Sequence, residues 1–177
     1  AEVTLKDVTK VYPGDVQAVD NANVDIQDRE FMVIVGPSGC GKSSLVTAGL
    51  LPRLVGGGAT DGGNDWHQTT IRPGDHPITR LAEELIENGV LTGKTAENAD
   101  TVSRIGFLDA TLRRGPLSLL NMLEGDAFHD GNLLLVVDQF EEIFRFRREK
   151  SDQEADAFVA MLLETSRQAE ARDLPVY

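Results

Sequence analysis

The stretch "FMVIVGPSGCGKSSLVTAGLL", Phe31 to Leu51, constrains the fold more than any other part of the chain. FMVIV has the β-branched and aromatic composition of a buried parallel strand, and the residues from Lys42 to Leu50 have helical spacing. Between them the loop fits G-x-x-x-x-G-K-[ST] at Gly36, Gly41, Lys42 and Ser43, with Gly39 as an additional small residue. Glycines permit backbone angles and close approaches that a Cβ would block, so successive N–H groups can converge on one anion. A helix starting at the loop adds its positive dipole end to the same place. On this reading Lys42 reaches the β- and γ-phosphates of a nucleoside triphosphate, Ser43 offers its hydroxyl to Mg²⁺, and Ser44 touches the α-phosphate. Gly36, Ser38, Gly39, Cys40, Gly41, Lys42, Ser43 and Ser44 are thus the candidate nucleotide-binding residues. A glycine-rich turn that binds nothing has similar local composition, but the strand before and the helix after are the context a phosphate loop requires.

A phosphate loop needs an acidic partner at a second strand end, and "NLLLVVDQFEEIF", Asn132 to Phe144, supplies one. The apolar run Leu133 to Val137 reads as a central parallel strand that puts Asp138 at its carboxyl end. In a Walker B element Asp138 holds Mg²⁺, and Glu141 or Glu142 orients the attacking water or accepts its proton. The competing interpretation is a buried strand followed by an acidic first helical turn.

Composition narrows the partners. A chain of 177 residues, 41% of them hydrophobic, can build one α/β domain with a real core. Its net charge of −12 argues against nucleic-acid binding. The basic cluster "RFRREK", 145 to 150, reads as a solvated helix face balanced by Asp152, Glu154 and Asp156. No apolar run is long enough for a membrane span or suitably flanked for a signal peptide, so a cytoplasmic protein with no direct membrane insertion is expected. The single cysteine, Cys40, excludes an internal disulfide, and no histidine is placed to activate it. His67, His76 and His129 lack metal-ligand spacing and read as turn or surface residues.

Along the chain, residues 3–12 alternate like a half-exposed strand and "PGD", 13–15, is a turn. "VQAVDNANVDIQDREFMVIV" reads as two further strands with a polar turn at Asp28 to Glu30, and the glycine-rich 56–64 as a linker. "WHQTTI", 66–71, reads as a strand with Trp66 packing at its start. It ends in the turn "RPGDHP", where Asp75 is expected to cap a helix that starts near Pro77 and ends near Asn88. Helical spacing returns at 101–113, 117–124, 140–149 and 153–171, and "LPVY", 174–177, resembles the beginning of another strand. That ending predicts a C-terminally truncated domain. The expected fold is α/β: one three-layer α/β/α nucleotide-binding domain over 1–177, with a mainly parallel sheet over 31–177 and a small antiparallel β-subdomain over 1–30.

Residues 1–45, "VTLKDVTKVYPGDVQAVDNANVDIQDREFMVIVGPSGCGKSS" within them, resemble the start of the ATP-binding subunit of a sugar-importing ABC transporter. That resemblance implies that Tyr12 stacks on adenine. Residues 42–177 resemble the P-loop NTPase domain of STAND proteins through "GKSSLVTAGLLPRL", "RPGDHP", "LLLVVDQFEEIF" and "LPVY". That resemblance implies a longer parent with downstream repeat domains, or assembly into a homo-oligomer. The two together suggest a chimera. The chain departs from the ABC pattern in lacking an "LSGGQ" helix start and in carrying Gln139 where a glutamate follows the Walker B aspartate; Gln68, whose neighbours do not match the metal-contacting glutamine, reads as a strand residue. The guanine-reading "NKxD" pattern is absent, which favours adenine.

Three functions fit these observations: an Mg²⁺-dependent ATPase domain, the motor subunit of an ABC importer, and a nucleotide-binding switch that does not hydrolyse. All three bind ATP or ADP, and they differ in the use made of the bound nucleotide.

Overall fold

The computed structural model describes residues 3–27, 32–34, 36, 39–52, 66–91, 100–125, 131–147, 152–169, 171, 172, 174 and 176. The chain forms two compact units, Ala1–Trp66 and His67–Tyr177.

In the first unit β1 (Val3–Tyr12) and β2 (Val16–Ile26) pair antiparallel, from Val3 opposite Ile26 to Tyr12 opposite Val16. The turn between them uses Gly14 at φ 89° and Asp15 at φ 56°, left-handed positions that glycine and aspartate tolerate. β1 is not regular. Leu5 and Val8 are three residues apart and would face opposite sides of an ideal strand, yet both are buried. A bulge between them resolves the conflict: Asp7 takes φ 52°, and its N–H donates to Asn23 Oδ1 at 3.0 Å. Leu5, Val8, Val19 and Leu50 are the buried hydrophobic residues of this unit among those described.

Leu50 belongs to the helix that follows the glycine-rich loop. It starts as α1 (Lys42–Leu45) and continues as a π-helical segment, Val46–Leu50. Gly49 lets this helix approach the hairpin, since a Cβ there would stand 3.0 Å from Val8 Cγ1. Two strands alone are marginal in water, and the helix supplies the second layer that buries their apolar face.

The strand expected at Phe31–Val35 is not formed by its described residues. Met32–Ile34 carry no strand, and Val33 is 63% exposed. A parallel strand is buried by pairing on its edges and by helices on its faces. Within their own unit, the described residues offer this segment only a two-stranded antiparallel sheet. Phe31, Val35, the turn at Asp28 to Glu30 and the linker at 56–64 lie outside the described residues.

β3 (Trp66–Ile71), which lies in the second unit from His67 on, and β4 (Asn132–Val137) are hydrogen-bonded neighbours, and Val176 makes a parallel bridge to Leu133. Val176, within the closing "LPVY", thus makes the one bridge of that segment among the described residues. Between the strands run α2 (Pro77–Glu87), α3 (Thr101–Leu112) and α4 (Ser118–Leu123); α5 (Glu142–Arg147) and α6 (Asp152–Ala169) follow β4. α2 buries Ile78, Leu81, Ala82 and Leu85, a stripe of helical period. These residues meet Ile71, Leu119, Leu120, Leu133, Phe158 and Met161 in one core.

The helix starts show two capping solutions. Asp100 caps α3, its carboxylate accepting from Ser103 N at 2.8 Å and Ser103 Oγ at 3.1 Å. α2 instead has His76 at its cap position with no side-chain cap, which corrects the expectation for Asp75. With Pro77 in the first turn one N–H that needs a cap is already gone. His76 sits 3.7 Å from both Asp75 and Glu154 carboxylates. Across α2, α3 and α6, Arg113 donates to Asp109, Thr79 and Glu154, joining three helices through one guanidinium.

Candidate functional site

The phosphate-loop residues lie in the first unit. Gly39 and Gly41 have φ of 81° and 92°, conformations that L side chains rarely adopt. Gly41 has a second constraint: a Cβ there would run into the Ala18 carbonyl oxygen of β2. Gly36 is held open differently, since its Cβ would stand 2.7 Å from Cys40 Sγ. Lys42 turns back over the loop, its Nζ donating to the Gly36 carbonyl at 2.7 Å and lying 3.8 Å from Cys40 Sγ. Gly36, Cys40 and Lys42 are thereby drawn into one turn of chain.

Ser43 and Ser44 occupy the first turn of α1, with Leu45 N–H returning to the Gly41 carbonyl at 2.8 Å. Tyr12, at the end of β1, is brought to this turn. Its hydroxyl shares a 3.0 Å hydrogen bond with Ser44 Oγ, and Lys10 Nζ lies 5.2 Å from the centre of its ring. Tyr12 is 41% exposed, so the ring stands at the rim of the loop rather than in the core. Ser38 lies outside the described residues.

The acidic residues lie in the second unit. Asp138 directly follows β4, and its N–H donates to the Ile71 carbonyl at 2.9 Å. That bond ties together the ends of β3 and β4. Gln139 then takes φ 57° and turns the chain sharply, with its N–H donating to Asp138 Oδ1 at 3.1 Å. Glu142 N–H donates to the Gln139 carbonyl at 2.9 Å, so the turn leads straight into α5. Glu141 is exposed on the turn and Glu142 is half-buried in the first turn of α5. Ile143, 2% exposed, and an edge-to-face contact between Phe140 and Phe144 (centroids 5.9 Å apart) anchor the segment.

Sequence reasoning missed one member of this group. Arg72, the first residue of "RPGDHP", directs its Nε to Asp138 Oδ2 at 3.3 Å. No local pattern marks it, because its place depends on two strand ends far apart in the chain. Gln68 lies within β3, as its reading as a strand residue requires, and Trp66 begins that strand half-buried. Among the described residues no three His, Cys, Asp or Glu side chains gather as a metal cluster, and no helix is long and apolar enough to cross a membrane.

Similarity to known proteins bears on this arrangement from two sides. The ATP-binding protein of a diacetylchitobiose uptake system from Streptomyces coelicolor is 46% identical over 84 residues, covering 46% of this chain and 19% of that protein. A xylose/arabinose import ATP-binding protein from Haloferax volcanii is 58% identical over 50 residues, 26% of this chain and 13% of its own length. An sn-glycerol-3-phosphate import ATP-binding protein from Escherichia coli is 32% identical over 140 residues, 67% of this chain and 38% of its own. The chain thus spans well under half the length of these relatives. The family described as Novel STAND NTPase 1 matches residues 6–176, from within β1 to the bridge residue Val176. The resemblance to sugar-import ATP-binding subunits and the resemblance to STAND NTPases are both present, and the second takes in the hairpin as well as the core. Since its match runs nearly end to end, the chain belongs to the Novel STAND NTPase 1 family.

Proposed function

We propose that the chain is an ATP-binding, Mg²⁺-dependent domain that hydrolyses ATP to ADP and phosphate. The observation that carries this reading is the phosphate loop: two left-handed glycines and a lysine whose ammonium turns into the loop it follows. The matching fold is a single P-loop NTPase domain of three α/β/α layers over 1–177, supported by the family match and by the parallel bridge beside β4. Tyr12 at the rim of the loop is suited to stack on adenine, one ring face being the side that Lys10 approaches.

In this function Lys42 exchanges the Gly36 carbonyl for the β- and γ-phosphate oxygens, a stronger, charge-assisted contact. Mg²⁺ suits oxygen donors of this kind, since it keeps several waters and needs only one or two protein oxygens besides phosphate; the Asp138 carboxylate and the Ser43 hydroxyl are each a donor of that type. When bound, the metal neutralises charge on the phosphates. Glu142 is the better-fixed candidate to orient water, because its backbone is bonded into the turn after Asp138, while Glu141 is exposed. A cytoplasmic location, a homo-oligomer and repeat domains in a longer parent belong to the same proposal.

A second reading, a nucleotide-dependent switch without hydrolysis, is favoured by Gln139 in place of a glutamate and by the ion pair that already engages Asp138. Calorimetry of ATP binding run beside phosphate release, on the parent and on Lys42→Ala, separates the two. Binding and turnover that both vanish in Lys42→Ala support the ATPase, binding alone supports the switch, and a Lys42→Ala chain that binds like the parent removes both.

A further inference from the structure

We propose that Arg72 is a positioning residue that gates divalent-cation access to Asp138, serving as a resident counter-ion that the metal must displace. The inference rests on the reading of Asp138 as a metal ligand and adds a residue that this reading does not contain.

The geometry is set by the strand ends. Because Asp138 N–H bonds to the Ile71 carbonyl, the residue after Ile71 must emerge beside the residue that follows β4. Arg72 is that residue. Two donors from this unit reach Asp138: Gln139 N–H donates to Oδ1 at 3.1 Å, and Arg72 Nε donates to Oδ2 at 3.3 Å. The first donor is fixed, since it belongs to a backbone turned by a left-handed residue. The second is a long side chain, 67% exposed, whereas the Asp138 side chain is only 17% exposed. Of the two, only the guanidinium can leave without moving the backbone. A divalent cation approaching Oδ2 meets a positive charge where it must bind, and repulsion between the two cations opposes both being present.

The exposure of Arg72 also sets the strength of the gate. An ion pair this open to solvent holds its partner by a small free energy, so displacing it changes metal affinity by about two- to fivefold rather than by orders of magnitude. The gate is shallow and therefore reversible, and screening weakens it further as salt is added.

The test is titration of the full chain with Mn²⁺ alone, with free ion followed by electron paramagnetic resonance. The variants are Arg72→Ala, Arg72→Lys, Asp138→Asn and the Arg72→Ala/Asp138→Asn double variant, each checked for fold by circular dichroism. The expected result is tighter Mn²⁺ binding in Arg72→Ala by about two- to fivefold, shrinking at high salt. Arg72→Lys, which keeps the charge, should stay near the parent. Asp138→Asn should bind more weakly, and adding Arg72→Ala to it should change nothing. If Asp138→Asn weakens binding while Arg72→Ala leaves it unchanged or weakens it too, the gate is overturned and the metal-ligand reading stands. If Asp138→Asn binds like the parent, Asp138 is not a ligand and both ideas fall.

Discussion

Gly39 and Gly41 lie in the same loop with nearly the same left-handed backbone, φ 81° and 92°, but in different surroundings. A Cβ on Gly39 would meet nothing within 4 Å, whereas one on Gly41 would strike the Ala18 carbonyl oxygen of β2. Alanine at position 39 should therefore incur only the left-handed backbone penalty, about 1–2 kcal/mol. Alanine at position 41 incurs that penalty and must also push β2 away, adding about 1–3 kcal/mol in the manner of an overpacked core. Urea unfolding followed by circular dichroism should place Gly41→Ala below Gly39→Ala by that second amount. Calorimetry should show the larger loss of ATP affinity in the same variant, since a displaced β2 shifts the loop's N–H groups. Equal stabilities within about 0.5 kcal/mol would mean that Gly41 does not seat the loop on the hairpin, and the packing argument would be refuted.

Phe158, fully buried in the second unit, should lower stability by about 3–5 kcal/mol when changed to alanine, read from the urea midpoint. The Arg113 hydrogen bonds hold the Asp109 carboxyl below its ordinary pKa, so the unfolded chain binds its proton more readily. The resulting stability is fully present above the ordinary carboxylate pKa of about 4 and is lost as pH falls through the lower folded value; stability curves of the parent and Arg113→Ala should therefore converge in acid. Glu142→Gln should keep ATP binding and stop phosphate release, while Glu141→Gln should retain release; the reverse pattern would move the water-orienting role to Glu141. Tyr12→Phe, which removes only the hydroxyl shared with Ser44, should weaken ATP binding by no more than about tenfold, whereas Tyr12→Ala should weaken it further if the ring stacks on the base.

Where a pattern is local, the sequence made it legible. The hydrophobic run at β4, the strand at β3, the helical stripe of α2 and the hairpin turn at Pro13–Asp15 all appear where composition, periodicity and turn chemistry put them. The loop motif likewise announced Gly39 and Gly41. FMVIV shows the limit of such reasoning. Its composition suits a buried parallel strand, but burial needs neighbours, and Val33 is instead exposed. The bulge at Asp7 is a smaller case. The spacing of Leu5 and Val8 contained the signal, since two buried residues three apart demand an extra residue, yet reading residues 3–12 as plain alternation hid it.

Arg72 was illegible for a more general reason. Its role depends on which residue ends β3 and which ends β4, and hence on a register between segments 66 residues apart. A shift of that register by one residue would turn Arg72 or Asp138 to the opposite face, because side chains alternate along a strand. The Ile71–Asp138 backbone bond holds the register at the point where the chemistry is proposed. The same bond that presents Asp138 at the strand end therefore also delivers the cation that competes for it. Any change that keeps the fold but slips this pair of ends should disable the metal ligand and its gate together, while a change confined to the Arg72 side chain should release only the gate.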